Sequence, residues 1–141
     1  MSRIMALDVG ETTIGVAFSD PMGIIAQPAR TIRRQGLRRD LAELLRLIEE
    51  QQVSRVIVGL PLRLEGDAGP AAQETERLAR RLRDGLGVPV ETWDERLSTA
   101  QAERALLEGD VSRRRRKDAV HGMAASLILQ AWLERNRGER P

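Results

Sequence analysis

Four residues far apart in this chain have types that could work together: Asp8, Glu95, Asp118 and His121. Asp8 lies in the apolar stretch Ile4-Met-Ala-Leu-Asp-Val9, immediately before Gly10. An ionised carboxylate inside such a strand is costly unless it is paired or holds a metal, so Asp8 asks for a cation. The competing reading makes it a turn residue ahead of the glycine. Glu95, within Asp94-Glu95-Arg96, closes a later strand expected to lie beside the first, so two carboxylates from different strand ends would meet above one sheet. Asp118 and His121 stand three apart at the expected start of the last helix and so project from one face. Read structurally, Asp118 is a helix N-cap and His121 a helix-start histidine with a local partner. Carboxylates that converge repel each other, and a divalent cation is the usual remedy. Oxygen donors suit Mg2+ or Mn2+, and an imidazole in the set shifts the preference toward Mn2+.

The elements that must position these groups follow from periodicity. Residues 3–8 and 13–19 are β-rich runs joined by Gly10-Glu11-Thr12, a hairpin signature, and a third strand near 29–33 completes a meander. Leu37, Leu41, Leu44, Leu45 and Ile48 recur at helical spacing and predict an amphipathic helix over 37–50. Arg55-Val-Ile-Val-Gly59 reads as a strand buried on both faces, reached by a parallel crossover. The Pro- and Gly-rich segment 60–70 is a loop at that strand's C-terminal end, where α/β sheets bind ligands. A helix over 71–85, a strand over 88–93 and a helix over 98–107 opened by a Ser98/Gln101 capping box follow. The run Gly109 to Lys117 is expected as a polar loop, with the last helix running from Asp118 to Arg135. The expected fold is α/β, a central mixed five-stranded sheet made of a three-strand antiparallel meander plus two parallel strands, with helices on both faces.

Length and composition narrow the classes. At 141 residues the chain fits one domain, 1–141, with one core and one site. No cysteine is present, which removes disulfides and thiolate chemistry and fits a reducing, cytoplasmic setting. No apolar run approaches the ~18 residues that would span a bilayer, so no membrane partner is expected. Net charge is only +2, and 22 of the 23 cations are arginine, Lys117 being the exception. The distribution of charge is therefore more telling than its sum. Arg30, Arg33, Arg34, Arg38 and Arg39 have no acid between them, and Arg113, Arg114, Arg115, Arg116 and Lys117 form an unbroken cationic run directly before the site helix.

Four blocks in order resemble the YqgF family, also called RuvX: Asp8-Val-Gly-Glu-Thr-Thr-Ile-Gly-Val-Ala17, Ile57-Val-Gly-Leu-Pro61, Asp94-Glu-Arg-Leu-Ser-Thr99 and Ala124-Ala-Ser-Leu-Ile-Leu-Gln130. Asp-Glu-Arg-Leu-Ser-Thr is the specific signal among them. The resemblance implies an RNase H-like fold and a metal-dependent nuclease, acting on precursor 16S ribosomal RNA or on four-way DNA junctions. Asp8 and Glu95 match the family's first two acids. His121 falls where the family usually carries its last aspartate, with Asp118 one turn earlier, a pair at the three-residue spacing used by the related RuvC-type resolvases. What the resemblance implies for chemistry is a pair of ions ~4 Å apart that activate water and stabilise the leaving oxygen in an in-line displacement. Arg96 would orient Glu95, meet a phosphate or serve equally as a structural salt-bridge partner, and Arg113 to Lys117 would hold the nucleic-acid backbone. Thr12, Thr13, Ser98 and Thr99 are further phosphate donors to consider. Only Phe18, Trp93 and Trp132 are aromatic, which disfavours base stacking as the main mode.

Two other classes compete. ATP-binding domains of the actin and sugar-kinase type also open with Asp-x-Gly-x-Thr after a strand, yet they need a second phosphate loop that this chain lacks. A binding module that keeps the fold without the chemistry is the other, supported by histidine in place of the usual aspartate. A junction resolvase would act as a homodimer, whereas a ribosomal RNA nuclease could work as a monomer.

Overall fold

The computed structural model describes residues 3–61, 69–85, 87–95 and 113–136, with side chains from residue 122 onward in the last stretch. Strand β1 (Arg3–Val9) turns through Gly10-Glu11-Thr12 into β2 (Thr13–Ser19), and β3 (Ala26–Arg33) completes the meander. Helix α1 (Leu37–Glu50), strand β4 (Val53–Leu60), helix α2 (Pro70–Gly85) and strand β5 (Val90–Asp94) follow, and helix α3 (Arg113–Arg135) is the last. The sheet order is β3-β2-β1-β4-β5. β1, β2 and β3 are antiparallel neighbours, while β1, β4 and β5 run parallel. The mixed five-stranded sheet expected from the sequence is the one observed.

Strand alternation splits the core. Met5 and Leu7 of β1, with Val56 and Val58 of β4, face α1 and α2, where Leu44, Ile48, Leu78 and Leu82 cover them. Ala6, Ala17, Ile57 and Trp93 face the other way, under Ala124, Ala125, Ile128 and Leu129 of α3. Burying each of the larger side chains is worth ~1.5–3 kcal/mol, so both layers are needed to hold the strand order. Small residues at Ala6, Ala17, Ala124 and Ala125 let α3 lie close to the sheet.

Two expectations need correction. α3 begins at Arg113, not Asp118, so the cationic run is the first turn and more of a helix and not a loop. Arginine is among the better helix formers, and nothing between 113 and 118 breaks the backbone. The strand ending at Glu95 does not lie beside β1; β4 separates them. The parallel crossover from β1 to β4 places the next strand outside β4, since β2 already occupies the other edge of β1. The helix expected over 98–107 and most of the loop over 60–70 lie outside the described residues.

The turn region between β2 and β3 is tied locally. Asp20 accepts backbone N–H groups from Ile24 at 2.7 Å and Ile25 at 2.8 Å, and these hold its carboxyl below the ordinary value of 3.8, the Ile25 bond being the largest cause. Gln130 of α3 accepts from Ala26 N–H at 3.0 Å, which fixes this turn to the helix.

Candidate active site

Asp8 is the penultimate residue of β1, and its parity with Ala6 sends it to the α3 side of the sheet. β1 pairs with β4 through Ala6↔Ile57 and Leu7↔Val58, so continuing the register one residue sets Asp8 beside Gly59. Gly59 pairs in turn with Trp93, and Glu95 comes two residues after Trp93, on the same face. The two acids therefore flank the end of β4. Both are almost completely enclosed, Asp8 at 2% and Glu95 at 1% exposure.

Gly59 is what makes room between them. A methyl group added at its Cα would stand 2.9 Å from Glu95 Oε1, 3.3 Å from Glu95 Cγ and 2.5 Å from Ile128 Cδ1. Read from the sequence, Gly59 is only the end of a buried strand. A glycine inside a strand signals a close approach, and here the approaching groups are the Glu95 carboxylate and the α3 side chain above it.

The helix overhead sets the third side. Ala125 and Ile128 of α3 are fully buried against the sheet. Positions 118 and 121 lie seven and four residues before Ala125, on the same stripe of the helix, and the helix runs from Gly122, against Thr31 of β3, to Ile128, against Gly59. Side chains of Asp118, His121 and Arg113 to Lys117 are outside the described residues, as is Arg96 altogether. Among the described residues no group of three metal-ligating side chains forms. The described donors nonetheless suit a hard cation, being two enclosed carboxylates; Thr13, two residues from Asp8's partner Gly15 on β2, adds a buried hydroxyl with no hydrogen-bond partner among the described residues.

The first arginine cluster, free of acids in sequence, is largely neutralised in space. Arg34, at 13% side-chain exposure, pairs with the buried Asp40 of α1 at 3.2 Å and with Glu74 of α2 at 3.4 Å. It also donates to Gly10 O at 3.1 Å, while its backbone N–H donates to Thr12 O at 2.8 Å. Arg34 thus clasps the turn that follows Asp8 to both helices behind the sheet. Arg30 pairs with Glu43 at 3.3 Å. Sequence reading missed this because each acid lies on a separate element.

The strand order and the carboxylates at the ends of β1 and β5 define an α/β domain of the RNase H-like class. Thermus thermophilus RuvC in complex with a Holliday junction substrate has the same fold, at a TM-score of 0.63 and 14% identity over 98% of this chain and 97% of that one. The family model described as RuvX, Holliday junction resolvase, matches residues 2–135. A protein of Syntrophomonas wolfei described as a candidate pre-16S rRNA nuclease is 52% identical over 94% of both chains. One from Myxococcus xanthus with the same description is 50% identical over 96% of this chain and 89% of its own. The chain belongs to the RuvX family, a family of nucleases. Among its described residues no helix is long and apolar enough to cross a membrane.

Proposed function

We propose that this protein is a divalent-metal-dependent nuclease that hydrolyses phosphodiester bonds in RNA during 5′-end maturation of precursor 16S rRNA, work done in the cytoplasm. The observation that carries the reading is the pair of enclosed carboxylates, Asp8 and Glu95, on either side of Gly59 on the α3 face. That its relatives are described as candidate nucleases of pre-16S rRNA supports the choice of substrate.

Asp8 and Glu95 are the residues that would hold the metal, with Asp118 and His121 of α3 completing the set and the imidazole favouring Mn2+ over Mg2+. When bound, a divalent cation supplies Lewis-acid chemistry, lowering the pKa of water and stabilising charge on the phosphodiester. The chain's own contributions are positional. Burial keeps bulk water from Asp8 and Glu95, which strengthens every electrostatic contact they make. Ile128 and Gly59 confine Glu95 to one position, and the clasp from Arg34 steadies the turn after Asp8. Arg96 and the run Arg113 to Lys117 would contact the phosphate backbone without reading bases.

A second reading, resolution of four-way DNA junctions, is favoured by the description of the matching family model. It requires two sites acting together in a homodimer. The test incubates the protein and its Asp8→Asn variant with labelled RNA carrying a precursor 16S 5′ leader, and with a four-way junction, in Mn2+, Mg2+ or chelator. Metal-dependent RNA cleavage, reduced more than about 10²-fold by Asp8→Asn with the fold intact, is expected. Symmetric nicking of the junction alone would favour the resolvase, and no metal-dependent cleavage of either would leave a binding module.

A further inference from the structure

We infer that the nucleic-acid backbone leaves the carboxylate site over the edge of the sheet and is held there by Arg33, Arg38 and Arg39. These arginines belong to β3 and α1 and not to the cationic run that opens α3, and the inference rests on the proposed placement of the scissile bond at Asp8 and Glu95.

Register supplies the separation. Asp8 pairs with Gly15 and Gly15 with Thr31, so these three form a row across β1, β2 and β3. Arg33 is two residues beyond Thr31 and therefore on the same face as Asp8. Two strand spacings and two residues separate Arg33 from Asp8, about 12 Å between Cα atoms, a reach of one or two nucleotides. β3 is the edge strand, and α3 covers the row at Thr31, where Gly122 packs against it, so a chain passing outward would skirt the strand ends and cross β3 at Arg33. Just beyond it a groove of about 380 Å3 between β3 and α1 is lined by Arg33, Gln35 and Arg39, together with Asp40 and Glu43, whose charges are met by Arg34 and Arg30.

The charges there are not used by the fold. Arg30, Arg34 and Arg46 all pair with acids, but Arg33, Arg38 and Arg39 are exposed and form no ion pair among the described residues. Arg38 and Arg39 also occupy the first turn of α1, whose N-terminus carries positive partial charge and favours acids. Folding alone gives no reason for two cations at that end.

The experiment measures binding of fluorescein-labelled single-stranded RNA by anisotropy, in chelator, across a salt series. The Asp8→Asn protein is compared with the same protein carrying Arg33→Gln, Arg38→Gln and Arg39→Gln, and with one carrying Arg77→Gln, Arg80→Gln and Arg81→Gln. The latter three arginines are exposed on α2, behind the sheet, and remove the same charge. Three lost phosphate contacts should flatten the plot of log K against log salt by about 2 and weaken binding roughly ten-fold at moderate salt, with the α2 variant unchanged. Arg33→Gln alone should flatten it by about 0.7. Equal slopes in all proteins, or equal losses in both triple variants, would overturn the inference. Cleavage by the corresponding variants with Asp8 intact separates the two readings. If the unmodified protein cuts RNA while the triple variant binds normally, the surface is wrong and the nuclease stands; if nothing cuts but the slope falls, the reverse holds.

Discussion

Replacing Gly59 by alanine is the sharpest perturbation the site allows. The new Cβ would stand 2.5 Å from Ile128 Cδ1 and 2.9 Å from Glu95 Oε1, against an ordinary carbon–carbon contact of about 3.5–4.0 Å. Ile128 must therefore retreat by about 1 Å and the Glu95 carboxylate by a few tenths of an ångström. Ile128 is fully buried, so it has no open space to retreat into, and overpacking of this kind costs about 1–3 kcal/mol. In a chain of this size that lowers the melting temperature by roughly 3–10 °C. The two clashes can be separated. Ile128→Val removes Cδ1 and by itself costs about 0.5–1.5 kcal/mol, yet added to Gly59→Ala it should return stability, a coupling of about 1 kcal/mol. It cannot relieve Glu95. The double variant should thus regain its melting temperature while its Mn2+ half-saturation for RNA cleavage stays raised and its kcat stays reduced, by about 10-fold or more. Thermal unfolding and a metal titration of the cleavage rate measure both quantities. Full activity of Gly59→Ala at an unchanged Mn2+ requirement would refute the argument that Gly59 sets the position of Glu95. A double variant no more stable than Gly59→Ala would refute the crowding at Ile128.

Arg34→Met should destabilise by about 2–4 kcal/mol in urea unfolding, since it strands the buried Asp40 carboxylate, and adding Asp40→Leu should recover most of the loss. Asp20 has a lowered folded-state pKa, so its hydrogen bonds to Ile24 and Ile25 stabilise fully above its unfolded value and fade as pH falls through the folded one. Melting curves of the protein and Asp20→Asn should accordingly differ at pH 6 and converge as the pH falls through the lowered folded-state value; a difference that persists at the acid limit would show that charge is not the cause.

Most elements were legible because their signals are local. The period-two runs of β1 and β2 around Gly10, and the helical spacing of Leu41, Leu44 and Ile48, are set by neighbours within a few residues. An acid at position 8 of an apolar strand was equally plain, since its desolvation cost is a property of that strand. The end of a helix is less well marked: like charges at 113–117 read as loop, but arginine tolerates a helix and α3 begins there.

What the tertiary structure alone decided are relations between elements distant in the chain. Insertion of β4 between β1 and β5 follows from the crossover, and it turns Gly59 from a strand end into the clearance on which Glu95 depends. The same folding finds Asp40 and Glu74 for Arg34, leaving Arg33, Arg38 and Arg39 without acids among the described residues. Periodicity reports which face of an element is buried, because that is a matter of nearest neighbours along the chain. It carries no information on which two faces meet, because long-range pairing is settled by how all the apolar surface is covered at once.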